Sequence, residues 1–320
     1  MQIYTDTKSI PELPRTSVAL GFFDGLHLGH RALIARCVDG AARHGRQSAV
    51  FTFREHPRNV LSGKRLVSRL LSPDDKRLLL AELGVAYLFE LDFAAGFHTM
   101  PPESFARDLL VEKFHASSVL CGFNFRFGAG ASGDADTLIG LGETYGFKTF
   151  VLDPVRIRTE VDEATALTVS STLIREKIRS GDTQAAAAML GRPYRLSGAI
   201  APGKKLGHTL GFPTANFPLD PAMTPPAPGV YVTRTAIAGA GGSAHASVTN
   251  VGYNPTTDAP HAVMVETHLL DWSGDLYGQS LCVEFHKMLR PEIKFDNLES
   301  LKTAIAENAA EARRYWYLRS

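Results

Sequence analysis

Three stretches of the chain combine residue types and spacings suited to phosphate chemistry. In GFFDGLHLGH, residues 21–30, Gly21, Gly25 and Gly29 permit close backbone approach, and His27 and His30 lie three apart at a helix start. A helix N-terminus favours anions, so the loop suits the phosphates of a nucleotide. It is neither GxxxxGK[ST] nor GxGxxG, which implies a different nucleotide chemistry. A tight strand-to-helix turn with two surface histidines would look the same, and a histidine metal pair lacks a third ligand at a suggestive spacing. In VSSTLIREKI, Ser170 or Ser171 can cap a helix whose first turns present Thr172 and Arg175 to an anion, although a capped helix with a solvated arginine reads alike.

The third stretch, GKKLGHTLGFPTANF, offers Gly203, Gly207 and Gly211 for an anion-binding loop, then Thr214 and Asn216 two apart. If that segment is extended the two side chains share a face. A hydroxyl and an amide are suitable neutral ligands around phosphate-bound Mg²⁺; a Pro-bounded strand entry is the plainer alternative. Downstream, VMVETHLLD alternates, so Val263, Val265, Thr267 and Leu269 take one face and Met264, Glu266 and His268 the other. Glu266 is either a solvated strand carboxylate or a general base for a substrate hydroxyl in phosphoryl transfer.

Elements that would position these groups follow from pattern. From SVAL to about residue 154, the runs SAVFTF, VAYLFEL, SSVLCG and KTFVLD alternate with helix candidates near 30–44, 72–83, 102–114 and 134–145. That alternation predicts a parallel α/β sheet with crossover helices. The phosphate loop then lies at the carboxyl edge of the sheet, where such folds bind ligands. After SSTLIREKIRSGD and TQAAAAML, the strands YRLSGAI, GVYVTRTAI, HASVTNVG, HAVMVETHLL and SLCVEFHKML follow one another without helices, which predicts a small antiparallel β-barrel or sandwich. A helix over about Asn297–Leu318 closes the chain. The loop CGFNFRFGAGASGD could offer Phe123, Phe125 and Phe127 as flat surfaces for a ring ligand, or simply pack them.

Taken in order, GFFDGLHLGH, FTFREHP, GFNFRFG, SSTLIR and LGRPY resemble the adenylyltransferase module of prokaryotic FAD synthetases, a branch of the nucleotidyltransferase superfamily, over most of residues 16–194. From about Tyr194 onward, LGFPTAN, GVYV, NVGYNPT, VETHLLD, LYG and LRPEIKF resemble riboflavin kinase. The resemblance implies a Rossmann-like nucleotidyltransferase domain over 1–187 and a riboflavin kinase barrel over 188–320. It implies that the chain phosphorylates riboflavin to FMN, then transfers an adenylyl group from a second ATP to FMN, giving FAD and pyrophosphate. Gly21, Phe23, Asp24, His27, Gly29, His30, Asn124, Ser171, Thr172 and Arg175 are implied at the adenylyl site. Gly203, Gly207, Thr214 and Asn216 are implied around Mg-ATP, with Thr214 at the metal, Glu266 as the base and Arg290 near the flavin and the closing helix.

The chain departs from the family pattern at five places. Phe22 stands where GNFDG has asparagine, where an aromatic could only pack; Asn124 stands for aspartate, and Ala131, His208 and Asn254 stand for arginines. Two rival readings are a riboflavin kinase with a degenerate first domain and a flavin carrier without turnover. The intact Thr214, Asn216 and Glu266 speak against the carrier, which needs no base.

A length of 320 residues suits about two domains, and 44% hydrophobic with 21% charged residues is ordinary globular composition. The formal net charge of +1 provides no field for nucleic acid or an anionic membrane, so small anionic ligands held by local groups are expected. Cys37, Cys121 and Cys282 show no CxxC or zinc spacing and read as buried free thiols. With neither a leader pattern nor a long apolar run, a cytoplasmic protein is expected, with riboflavin, FMN, FAD and ATP as partners and at most a weak homo-oligomer.

Overall fold

The structure, a computed structural model, describes residues 1–159, 162–201, 211–237, 244–253, 262–274, 276 and 278–319. Gly203, Gly207, His208 and Asn254 lie outside the described residues. The chain divides into two compact units, Met1–Ser170 and Ser171–Ser320.

In the first unit, strands β1 (Gln2–Tyr4), β2 (Thr16–Leu20), β3 (Gln47–Phe53), β4 (Tyr87–Leu91), β5 (Ala116–Gly122) and β6 (Lys148–Leu152) form one parallel sheet in the order β1-β4-β3-β2-β5-β6. All five residues of β2 are buried, as expected of a strand covered on both faces. Successive side chains feed two cores. Val18, Leu20, Phe51, Phe89 and Val119 meet Phe105, Leu109 and Leu138 on one face, while Ala19, Val50, Leu88 and Leu120 meet Leu33, Ile34 and Leu80 on the other. The covering helices are α1 (Leu28–Arg43), α3 (Pro73–Glu82), the single turn α4 (Pro102–Ser104) with the π-helix over Phe105–Lys113 that follows it, and α5 (Ala135–Tyr145). The start of α3 follows its sequence signals, with Ser72 Oγ accepting from Asp75 N–H at 3.1 Å and Pro73 in the first turn. The short helix α2 (Pro57–Ser62), β1 and the hairpin of β7 (Arg156–Thr159) with β8 (Asp162–Thr168) are additions that the apolar pattern does not announce.

The strand order reverses beside β2, because β3 pairs on one side and β5 on the other. The loops leaving β2 and β5, which carry GFFDG and GFNFRFG, therefore leave the same edge of the sheet at its topological switch point, the crevice where open α/β folds take ligands.

In the second unit, helices α6 (Ser171–Arg179) and α7 (Thr183–Leu190) pack on each other and α7 packs on β14 (Ser280–Pro291). Ala227 N–H donates to Ile178 O at 3.2 Å, and Met288 lies against Gly181. The SSTLIR helix thus belongs to the second compact unit, whereas a boundary at 187/188 places it in the first. Strands β9 (Tyr194–Ala199), β10 (Ala215–Pro218), β11 (Gly229–Ile237), β12 (Ala244–Tyr253), β13 (Val263–Leu269) and β14 form an antiparallel sheet in the order β10-β13-β12-β11-β14-β9. A bridge between Ala201 and Asn216, with Ala201 N–H donating to Asn216 O at 2.8 Å, brings its two edges together into a nearly closed barrel.

Part of the barrel interior is aromatic and aliphatic, including Tyr194, Phe217, Tyr231, Val265 and Phe285. Another part is a chain of fully buried hydroxyls. Thr235 bonds Ser247 at 2.7 Å, Ser247 bonds Thr233 at 2.8 Å, Thr233 bonds Thr249 at 2.7 Å, and Thr249 bonds Thr267. Each of the five hydroxyls thus has at least one hydrogen-bond partner inside the barrel. The Phe217 ring lies over Gly198, where a Cβ would collide with the root of that buried side chain. Gly198→Ala is expected to destabilise the barrel by about 1–3 kcal/mol, measured as a lowered urea midpoint.

The long helix Leu298–Tyr317, capped by Asn297, packs Ala309 and Ala312 against Val232 and Leu270. Its Trp316 sits edge-on to His286 at 4.6 Å, and burial, with Arg234 and Arg319 nearby, pushes the His286 pKa down to about 4. The unfolded chain binds that proton near pH ~6.5, so His286 favours folding at neutral pH and opposes it as pH falls from ~6.5 towards 4. The thermal midpoint should drop over that window, and His286→Phe should flatten the dependence.

Candidate active sites

The chain leaving β2 is bent sharply. Phe23 has φ of 53° and Leu26 of 42°, on either side of Gly25, before His27 opens α1 as its cap residue. His27 Nδ1 accepts from His30 N–H at 3.3 Å, and the two imidazoles stack with centroids 3.6 Å apart. Phe23, fully buried, meets His30 edge-on at 5.2 Å. The glycines have an internal purpose: a Cβ on Gly21 would meet Phe23 Cζ at 2.9 Å, and one on Gly29 would meet His27 Cε1 at 3.2 Å. What approaches the backbone closely is the protein's own pair of rings.

His30 is largely enclosed, and its Nδ1 is buried without a hydrogen-bond partner among the described residues. Burial, then the charges of His27 and Lys76, hold its pKa well below the usual histidine value, so it stands neutral at pH 7. Asp24 is buried, and its two carboxylate oxygens accept from Leu70 N–H at 2.9 and 3.1 Å. It ties the loop to the segment before α3.

Phe22 does more than pack. Its ring lies 4.9 Å from Lys76 Nζ and edge-on to His56 at 4.7 Å, while its carbonyl accepts from Lys76 Nζ at 3.3 Å. An aromatic at this position holds a buried ammonium through its π face, contrary to the sequence expectation that it could only fill space. Lys76 was not among the expected site residues. Its signal was a lysine at i−4 from Leu80 on the buried face of α3.

The loop after β5 offers less ring surface than expected. Phe127 is buried against Phe105 at 5.1 Å and above Gly133, and Phe125 stacks on Phe127 at 5.7 Å as part of the core margin. Phe123 remains 51% exposed, and Asn124 is exposed beside it. Core packing claims alternate rings because the loop folds back through paired bonds between Phe127 and Gly133. Ala131, with φ of 58°, turns the chain there.

Ser171 is the first helical residue of α6, which leaves Ser170 at the flanking cap position. Ser171 and Thr172 stand at that N-terminus and Arg175 is buried one turn on.

In the barrel, Thr214, Asn216 and Glu266 come together. Thr214 Oγ1 donates to Glu266 Oε1 at 2.7 Å, and Asn216 pairs with Glu266 in the register of β10 and β13. Asn250 of β12 is the register partner of Glu266 on its other side, an amide that sequence reading did not single out. Asn216 Oδ1 is buried without a hydrogen-bond partner among the described residues. An orphaned amide oxygen beside a hydroxyl and a carboxylate is the donor set a hard divalent cation takes. Among the described residues no group of three His, Cys, Asp or Glu could hold a metal. Arg290 Nε donates to Asn308 Oδ1 on the long helix at 3.2 Å and lies 5.4 Å from the Phe295 ring. The structure therefore places Arg290 at the closing helix.

The three cysteines are free, and burial pushes Cys37 up to about 12 and Cys121 to about 11, which keeps them inert. No helix among the described residues is long and apolar enough to cross a membrane.

A family model described as FAD synthetase matches residues 9–166, and one described as riboflavin kinase matches residues 190–316. The bifunctional riboflavin kinase/FMN adenylyltransferase of Listeria monocytogenes is 33% identical over 93% of this chain and 92% of its own length. That of Escherichia coli K12 is 33% identical over 99% of both. A crystal structure of a Streptococcus pneumoniae protein described as a macrolide-efflux protein has a TM-score of 0.85 at 27% identity, over 97% of this chain and 98% of its own. With the first match inside its parallel-sheet unit, its barrel inside the second match and full-length relatives at one-third identity, the chain belongs to the bifunctional riboflavin kinase/FMN adenylyltransferase family.

Proposed function

We propose that the two family reactions are divided between the units by the chemistry of their nucleophiles. Riboflavin's 5′-hydroxyl must lose a proton as it attacks the γ-phosphorus of ATP, releasing ADP. Glu266, held on a rigid strand beside Thr214, is the group that takes it. Thr214 Oγ1 and Asn216 Oδ1 would hold Mg²⁺, which when bound neutralises phosphate charge. Gly203 and Gly207 would line the phosphates, and Arg290, fixed by Asn308, would border the flavin.

FMN then attacks the α-phosphorus of a second ATP through a phosphate oxygen, and the bond to pyrophosphate breaks. A phosphomonoester with a second pKa near ~6 is already ionised at neutral pH and needs no base. The observation that carries the division is the distribution of carboxylates. Among the described residues Glu266 bonds the Thr214 hydroxyl, whereas both carboxylate oxygens of Asp24 are taken by the Leu70 backbone. His27 and His30, joined by Asn124, would orient ATP and stabilise charge growing on the phosphates, within the frame set by Gly21, Phe23 and Gly29. The resident partners on this reading are riboflavin, FMN, FAD and ATP, and no nucleic acid.

The test is a time course of the purified chain with riboflavin, ATP and Mg²⁺, following the three flavins by chromatography. FMN should rise and give way to FAD. FMN alone would mean a silent first domain, and no conversion would mean a carrier.

A further inference from the structure

Beside the phosphate loop, the first unit has a small pocket whose lining includes Phe22, Asp24, Arg54, Arg69, Lys76 and Glu90. Most of its charges are engaged. Asp24 accepts from Leu70 N–H, Glu90 accepts from Arg77 at 3.0 and 2.6 Å, and Arg69 pairs with Glu55 at 2.6 Å. Lys76 differs. It is 5% exposed, yet Phe22 O at 3.3 Å is the one hydrogen bond its three donors make among the described residues. The nearby carboxylates of Asp24 and Glu90 offset its charge without bonding it, so two of its donors stay unmet, which is costly for a buried ammonium unless something else fills them. The ammonium also acts on the phosphate loop: it is one of the charges that keep the buried His30 neutral.

We propose that Lys76 is a catalytic residue of adenylyl transfer, its ammonium donating to a phosphate oxygen of bound substrate, and that Phe22 is the positioning residue that holds it. A point charge with free donors, buried beside a helix N-terminus and open to a pocket, fits a phosphate or pyrophosphate. The Phe22 ring and carbonyl fix the ammonium from one side and leave the other for the ligand. The proposal rests on the placement of adenylyl transfer in the first unit.

Lys76→Met keeps the length and apolar stem of the side chain and removes the charge. Asp24 keeps its bonds from Leu70 N–H and Glu90 its pair with Arg77, so loss of the ammonium should lower the thermal midpoint by only a few degrees while the variant stays folded. The rate of FAD formation from FMN and ATP should fall 100-fold or more, with riboflavin phosphorylation as the internal control. A rise in KM for ATP would assign the ammonium to the triphosphate, and a rise in KM for FMN would assign it to the monophosphate. Phe22→Leu, which keeps apolar bulk without a π face, should lower kcat for the same reaction 3- to 10-fold. Inorganic pyrophosphate should raise the thermal midpoint of the parent and not that of Lys76→Met. Adenylyl transfer within twofold of the parent, or a midpoint of Lys76→Met that pyrophosphate raises as much as it raises the parent's, would overturn the proposal. Failure of the parent to convert FMN would instead sink the assignment of adenylyl transfer, and the pyrophosphate titration would still decide whether Lys76 binds an anion.

Discussion

Glu266→Gln should lower the rate of FMN formation from riboflavin by ~10²–10⁴-fold, the usual contribution of a positioned general base. Glutamine has the same shape and keeps an acceptor for the Thr214 hydroxyl that now bonds Glu266 Oε1 at 2.7 Å, so the strand and its neighbours have no reason to move. What it cannot do is take a proton. FMN supplied directly should still become FAD at the parental rate, because the first unit uses a nucleophile that is already ionised. Initial rates with each flavin, measured separately at saturating ATP and Mg²⁺, give both numbers from one preparation.

The converse is expected of His30→Ala. Loss of a group that stabilises charge on the transferring phosphates costs ~10²–10³-fold in kcat, here in FAD formation, while phosphorylation of riboflavin proceeds unchanged. Alanine also empties the space between the His27 ring stacked at 3.6 Å and the Phe23 ring at 5.2 Å. His30→Phe restores that packing without the ring nitrogens and should be equally slow, which separates chemistry from shape. Because burial, His27 and Lys76 depress the His30 pKa, the free enzyme's acid limb in kcat/KM for adenylyl transfer should lie below the ordinary histidine range. If each substitution impaired both reactions equally in a protein with a native thermal midpoint, two independent sites would be the wrong picture.

Local pattern made much of this fold legible. The five apolar runs from SVAL to KTFVLD became β2 to β6, and the helix at 73–82 begins at the serine and proline that signal it. These elements bury continuous runs or whole helical faces, so their signal is contained within a few residues. The alternation around Glu266 was equally readable, since Val265, Thr267 and Leu269 are buried while Glu266 and His268 are not. Other elements were silent for physical reasons. Strand β10 has four residues and ends at a proline, and β1 is a three-residue edge strand; both exist through pairing with distant partners. Phe125 and Phe127 looked like a ligand platform because alternation in a loop does not reveal which side meets a core.

The class of each half, the order of the motifs and the residue types from which both phosphate sites are made can be read along the chain, because propensity, periodicity and spacing are local properties. Only the tertiary structure decided which polar groups are satisfied. The hydroxyl chain from Thr235 to Thr267 joins residues of three separate strands that no local pattern links, and it lies inside the barrel. The orphaned Asn216 Oδ1 and the Phe22 ring against Lys76, 54 positions further on, are likewise facts of packing. Burial sets the electrostatic worth of each such group, and burial is conferred by neighbours that the chain brings from far away.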